Sequence, residues 1–578
     1  MPEYLSSGMR LYLDHLVDWK TLLTLWKGAG VDVEAEVGAY RTLLETAAGI
    51  AGGLEGEARD HWTDVAELTA DGGAASPAHI RAGYEKLREA GLVSLTVGEA
   101  YGGYALPALV NGIYLEMIAR ADPSLMMVVG LQTGAAADIQ SYGSEEVKRR
   151  WLPRFASGEV QGCMDLTEPQ AGSDLGGITT RVADRPDGSV AVDGQKIFIS
   201  NGGAEVHLVL ARDEDTFERS KGTTNGLSLV LVPRHRDDGS PNGVRVSRLE
   251  EKLGIHGSAT CEVIFEGARG VRLGEKGKGF RAMLDLMNAA RLGVAAQALG
   301  ICSAALHDAV RYAHERRQFG KPIAEQPLVQ SMLAKMVMQT EAVRGLLYRT
   351  YRLLDLNIAR QAALARGDLD DGEAVRAELE RDTTRVRLLT PLCKYFATEV
   401  ACDLTRDAIQ VLGGIGFTSA SDVGKFHADS LITTIYEGTS EIQVSFALKE
   451  IGKGALAVVF ETIRRELAGM RSDPARAALA ARVEEMTRRI DEAMKALFGN
   501  LDYALLRSKL LAEMVIDVGA ATELLHQAGA DPRRLGLATA YVLRRALEVE
   551  HTGRRIAENV EGRLRRDAEI VALAAEGL

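Results

Sequence analysis

SVAVDGQKIFISNGGAEVHLVLAR (Ser189–Arg212) sets short Val- and Ile-rich runs between Asp-Gly and Asn-Gly-Gly breaks, the texture of strands joined by tight turns. Downstream, LSLVLVPRH (Leu227–His235), GVRVSRL (Gly243–Leu249) and CEVIFE (Cys261–Glu266) continue it. Residues 161–284 therefore read as an antiparallel β domain, a barrel or a sandwich. On either side the pattern is helical. Residues 1–160 alternate Ala/Leu-rich stretches with Gly-rich turns such as GEAYGGYALP, and Ser144 in GSEEVKRRWLPRF is an N-cap candidate. Residues 285–455 form a helical bundle domain, in which Leu299, Cys302, Leu306, Val310 and Ala313 recur at steps of three and four. Residues 456–578 form a further helical domain. The stretch Ala365–Asp382, polar and interrupted by glycine, is expected to be an exposed excursion between bundle helices. The fold class is α+β.

The 578 residues exceed one core. A hydrophobic share of 46% beside 26% charged residues excludes disordered and fibrous classes. A net charge of −12 argues against the nucleic-acid backbone as main partner. Five scattered cysteines, Cys163, Cys261, Cys302, Cys393 and Cys402, without a C-x-x-C pair, indicate neither a disulfide framework nor a metal site. MPEYLSSGMRLYLDHLVDWK lacks the apolar run of a signal peptide, and no stretch of about 18 uncharged apolar residues stands out. A cytoplasmic protein without an integral membrane segment is the expectation.

Four segments carry chemistry: LTEPQAGSD (Leu166–Asp174), GQKIFISNGG (Gly194–Gly203), YAHERRQFGK (Tyr312–Lys321) with QVLGGIGF (Gln410–Phe417), and IYEGTSEIQ (Ile435–Gln443). Singly, they are compatible with a β-domain loop, a plain core strand whose alternation puts Phe198 and Ser200 on one face, a solvated helix end and a surface turn. In this order they resemble the acyl-CoA dehydrogenase family over about residues 35–455. The helical extension, and EEKLGIHGSATCEVIFEG (Glu250–Gly267), are similar to the long branch that includes very-long-chain and bacterial 3-methylthiopropionyl-CoA dehydrogenases.

The resemblance implies FAD as cofactor, an acyl-CoA substrate and no metal. It assigns Leu166 and Thr167 to the flavin pyrimidine edge, and Phe198 and Ser200 to its ring and N5, where many members carry Trp and Thr. Arg316, Gln318 and Phe319 fall to the pyrophosphate, typically of a neighbouring subunit, and Gln410, Gly413 and Gly414 to the adenosine side, approached from the partner chain. Thr439 and Glu441 complete the cofactor set. Ser173, Arg291, Tyr436 and Gly438 face the substrate, and Glu437 is the base that takes the α-proton on the way to a trans-2-enoyl-CoA, as in β-oxidation of fatty acids. Some branches place the base just before the family's arginine, where this chain has Ala290. A homodimer handing electrons to an electron-transfer flavoprotein is implied. A dioxygen-using oxidase, a DNA-binding relative and peripheral membrane association through the extension remain rivals, although acidic residues interleave the basic clusters there. Residues Leu131–Gln140 are candidate pocket wall.

Overall fold

The computed structural model describes residues 4–370, 372–497, 499–557 and 563–577, leaving aside the side chains of 285, 286, 564 and 574–577. Contacts group the chain into two compact units, each discontinuous in sequence. The first holds Met1–Leu5, Gly38–Glu315 and Ala401–Glu437; the second holds Ser6–Val37, Arg316–Val400 and Gly438–Leu578.

In the first unit the β-branched runs become seven strands: β1 (Gly162–Asp165), β2 (Arg181–Asp184), β3 (Val190–Ser200), β4 (Val206–Asp213), β5 (Leu227–Pro233), β6 (Val244–Leu249) and β7 (Thr260–Leu273). Neighbours run β4-β2-β3-β7-β5, and β5 pairs back onto β4, closing a barrel; β6 adds to β7. The expectation of a purely antiparallel domain is corrected, because β1 and β2 both run parallel to β4. β1 and β2 flank β4, and each is joined to it only through a long stretch of intervening chain, as parallel neighbours require. Side chains alternate along β4. Val206, Leu208 and Leu210 pack with Ile139, Trp151 and Phe155 of the helices, whereas Val209 and Ala211 join Val230, Val263 and Phe265 inside the barrel. Cys163, Asp165 and His207 also come together there, fully buried, with the thiol 3.1 Å from Nδ1 of His207, a grouping that cysteine spacing did not disclose. All five cysteines are free.

The helix Ala108–Ala121, ALVNGIYLEMIARA, is apolar on nearly every side and correspondingly buried. Asp122 then caps Pro123–Tyr142, accepting from the amides of Ser124 (2.8 Å) and Leu125 (3.1 Å). Ser144 caps Glu145–Ala156 as expected. The helix Gly279–Glu315 packs against Ala108–Ala121, Pro123–Tyr142, Val423–Thr433 and β5. Its buried surface is therefore wider than one stripe: Leu299, Cys302 and Ala313 are buried but Leu306 and Val310 only half so, while Ala295, Ala298, Ile301 and Ala309 are buried as well. By length and composition alone this helix could cross a membrane, and 72% of its most apolar window is buried within the fold.

In the second unit Ser508–Ala530 is central, touching Pro327–Arg366, Ser440–Gly452, Ala477–Leu497 and Leu535–Ala557. The C-terminal extension thus shares a core with earlier helices instead of standing by itself. The expected exposed excursion is shorter than Ala365–Asp382: helix Pro327–Arg366 stops at Gly367, and the next, Glu373–Leu412, already includes Glu373–Asp382. Asp382 is buried, paired with Arg360 and Arg385, so charges that composition assigned to solvent bind one helix to the other. Asp371 lies outside the described residues.

Glu523, fully buried, accepts from the Tyr12 hydroxyl (2.9 Å), Arg352 (3.1 Å) and Arg349 (3.3 Å), and Arg349 also pairs with Glu466 at 2.8 Å. Burial opposes ionisation of Glu523, but the two arginines reverse the balance and hold its carboxyl below the usual range. Removing one member strands charge in the interior. Glu523→Ala is expected to cost roughly 3–5 kcal/mol in urea unfolding, and Tyr12→Phe about 1 kcal/mol.

Candidate active site

In the first unit, the helix Val423–Thr433 ends in a turn that delivers Tyr436 and Glu437. Glu437 takes a left-handed φ of +56°, a conformation that costs a non-glycine residue about 1–3 kcal/mol and persists only where surroundings enforce it. Beside it the Tyr436 hydroxyl donates to Gln297, whose own amide donates to the Pro123 carbonyl at 2.9 Å. Burial, with the Glu437 charge next to it, pushes the Tyr436 hydroxyl well above the usual phenol range. Arg291 is buried on the helix Gly279–Glu315 and donates to Asn288 at 2.9 Å. Burial lowers its pKa, and the Glu437 carboxylate opposes that shift. The structure thus places a cation within electrostatic reach of the expected base. Ala290, in the alternative position for a base, is a partly buried apolar residue packed against the core that holds Ile139, Trp151 and Phe155.

The LTEP loop rests on an ion pair that motif reading missed. Glu168 is 2% exposed and accepts from Lys196 (2.9 Å) and the amides of Thr179 (2.8 Å) and Thr180 (3.0 Å). Lys196 also donates to the carbonyls of Leu166 and Leu210, both at 2.8 Å, and the Thr167 carbonyl accepts from the Ile197 amide at 2.9 Å. Leu166 and Thr167 are half-buried and Ser173 is exposed. The strict alternation expected along Gly194–Gly203 fails at a bulge between Lys196 and Ile199. Lys196 is buried, yet Phe198, two residues on, takes φ +58° and is 59% exposed. Alternation resumes only at the end, with Ile199 buried between Phe198 and a half-buried Ser200.

Gln410, Gly413 and Gly414 are exposed at the end of Glu373–Leu412 and in the turn after it, and a Cβ on either glycine would meet nothing within 4 Å. Next to them Phe417 is 89% exposed.

In the second unit, helix Gly279–Glu315 having ended at Glu315, residues Arg317–Gln318 and Lys321–Pro322 pair as a hairpin. Arg316, expected at a helix end, precedes it. Phe319 and Gly320 form the tip, with φ of +54° and +82°, the geometry of a two-residue hairpin turn, and Phe319 is 93% exposed. Gly438 takes φ +91°, which suits glycine, and its carbonyl accepts from Lys394 (2.8 Å) and Gln443 (3.1 Å). Thr439 caps Ser440–Gly452, and Glu441 pairs with Lys509 at 2.6 Å. In the first unit the exposed ring of Phe198 suits the flat isoalloxazine ring of FAD, and the open glycine backbone at Gly413 and Gly414 leaves room for a ligand or a second chain, so the residues present suit FAD.

Glu168, Lys196, Gln297 and Lys394 were not singled out from sequence. An acid and a base in adjacent motifs, LTEP and GQKIF, and one glutamine in the run VAAQALGI were the available signals. For Glu168, burial works against ionisation but Lys196 and the amide donors overcome it, bringing the carboxyl down to about 2. With the folded pKa below the unfolded value, this stabilisation is present above about pH 4.3 and lost as pH falls towards 2. Glu168→Gln should flatten the acid-side loss of stability between pH 5 and 2, and leave Lys196 unpaired at a cost of roughly 3–5 kcal/mol at pH 7, both read by urea unfolding.

Three family models match in chain order: acyl-CoA dehydrogenase N-terminal domain over residues 57–159, middle domain over 163–268, and C-terminal domain over 277–366 and 372–452. The 3-methylmercaptopropionyl-CoA dehydrogenase of Ruegeria pomeroyi is 32% identical over 452 residues, 74% of this chain and 73% of that one. An acyl-CoA dehydrogenase of Bacillus subtilis is 33% identical over 62% of this chain and 86% of its own length. The fold of a Bacillus anthracis acyl-CoA dehydrogenase complexed with FAD matches with a TM-score of 0.73 at 24% identity, covering 93% of this chain and 91% of that one. With three domain models in register and a relative matched along most of its length, this chain belongs to the acyl-CoA dehydrogenase family.

Proposed function

We propose that the protein dehydrogenates an acyl-CoA thioester between its α- and β-carbons, with Glu437 removing the α-proton. The observation that carries this reading is Glu437 itself, a carboxylate in a left-handed backbone conformation with the buried Arg291 charge beside it. FAD, when bound, supplies the acceptor for the β-hydride. Leu166, Thr167, Phe198 and Ser200 would hold its ring, Thr439 and Glu441 would complete the set, and Gln410, Gly413 and Gly414 would approach the adenosine side of a partner chain's FAD. Arg316, Gln318 and Phe319 would serve the FAD of a second chain.

The chain's own residues then do three things. Tyr436, tied through Gln297 to Pro123, fixes where the Glu437 carboxylate enters the site. Arg291 favours the charged form of the base, and the Glu437 backbone N–H is the donor we assign to the thioester oxygen, where it would acidify the α-carbon. Ser173 and Gly438 would lie along the thioester arm.

A homodimer is supported by the exposed rings of Phe319 and Phe417. We assign an electron-transfer flavoprotein as the electron acceptor, with a dioxygen-using oxidase as the alternative. The substrate of the Ruegeria pomeroyi relative makes a short thioether acyl-CoA the first to test.

Anaerobic titration of the flavin-loaded protein with acyl-CoAs, from short linear chains to 3-methylmercaptopropionyl-CoA, should bleach the visible flavin band for one class. Glu437→Gln should keep the flavin and slow its reduction by roughly 10²–10⁴-fold. Turnover retained in that variant would remove Glu437 from the role.

A further inference from the structure

Asp429 lies two turns before Glu437, on the helix Val423–Thr433 that leads to it, and is 1% exposed. A carboxylate so deep needs donors, and it has them from two directions. Trp62 donates Nε1 to both oxygens, at 3.1 and 3.0 Å, and the Ile255 amide donates at 2.5 Å. Ile255 takes φ +44°, a real outlier for a β-branched residue. This strained amide points at Asp429. Next to it, a Cβ on Gly254 would come within 2.6–2.7 Å of the backbone of Ala428 and Asp429, so the Lys252–Ser258 loop sits directly on the helix. Trp62 closes the cluster by meeting the His256 ring edge-on at 4.5 Å.

The loop leads straight into β7. The Ile255 carbonyl accepts from the Ser258 amide (3.1 Å), the Ala259 carbonyl accepts from the Asn201 amide (2.6 Å), and Ser200 is paired with Thr260. A short hydrogen-bonded path therefore runs from the helix that leads to the base to the end of β3 that carries Phe198 and Ser200. All of it lies in one compact unit.

We propose that Asp429 is a positioning residue, which sets the helix leading to the base in register with the barrel edge that would hold the flavin ring. The inference rests on the dehydrogenase reading above. That chemistry takes a proton from one carbon and a hydride from the next, so base and acceptor must be held at a fixed separation, and misplacement by about 1 Å costs on the order of 10²-fold in rate.

The test is Asp429→Asn in the flavin-loaded protein, with Trp62→Phe as the milder variant that removes one donor and keeps an aromatic ring. Flavin content and acyl-CoA binding should stay close to wild type, while flavin reduction at saturating acyl-CoA slows by roughly ten- to a hundredfold, with a smaller slowing in Trp62→Phe. Amide exchange at residues 199–203 and 434–438 should rise together. Reduction within twofold of wild type in a folded Asp429→Asn, or exchange raised at only one of the two segments, overturns the proposal. If Asp429→Asn does not fold, the same readings on Trp62→Phe decide it. A wild-type protein that no acyl-CoA reduces overturns the dehydrogenase reading instead, and the exchange experiment then judges the tie between the segments alone.

Discussion

Holding a glutamate in left-handed backbone at the end of a helix is the constraint around which the first unit is organised. The conformation is unfavourable in isolation, so neighbours must make every alternative worse. They act through short polar links to rigid elements: Tyr436 to Gln297 and on to the start of Pro123–Tyr142, Asp429 to Trp62 and the Lys252–Ser258 loop. None of these links is long-range electrostatics. Each is a hydrogen bond in a desolvated setting, where geometry is enforced because the unbonded alternative leaves a buried polar atom unpaired.

Charge is handled in the same way elsewhere. Glu168 with Lys196 beneath the LTEP loop, and Glu523 with Arg349 and Arg352 in the second unit, are interior ion pairs supplemented by amides or a phenol. Such pairs contribute little net stability compared with well-packed hydrocarbon, but they tolerate only one arrangement. In the barrel that selectivity fixes the carbonyl of Leu166, and with it the course of the LTEP loop. In the second unit it fixes the N-terminal segment to helices near the other end of the chain.

Much of this could be read from the residues, and the limits have physical causes. The β domain was legible because period-two burial leaves a mark on composition, and Y-E-G stands out as a candidate because a charged residue between an aromatic and a glycine is unusual. Ser144 was legible as a cap from local chemistry alone. The bulge at Phe198 was not, since a single left-handed residue flips the facing of a strand without changing its composition. The parallel pairing of β1 and β2 with β4 depends on long connections that no local pattern specifies. Ala365–Asp382 was misjudged because acidic and basic residues at helical spacing look the same whether they face water or, as with Arg360 and Asp382, each other. Asp429 and Gln297 act over 130 residues or more, through partners such as Ile255 and Tyr436 that sequence cannot place beside them.

The bond between Tyr12 and Glu523 spans 511 residues. A ribosome adding about 5–20 residues per second takes on the order of 25–100 s to cover that distance. Throughout that time the Tyr12 hydroxyl lacks its acceptor, although the Tyr348 ring that it meets edge-on at 5.0 Å is made earlier, while the barrel and the helices around it can already close. The second unit can therefore be completed only once the chain around Glu523 has been made, and that completion is governed by the clock of translation as much as by its own contacts.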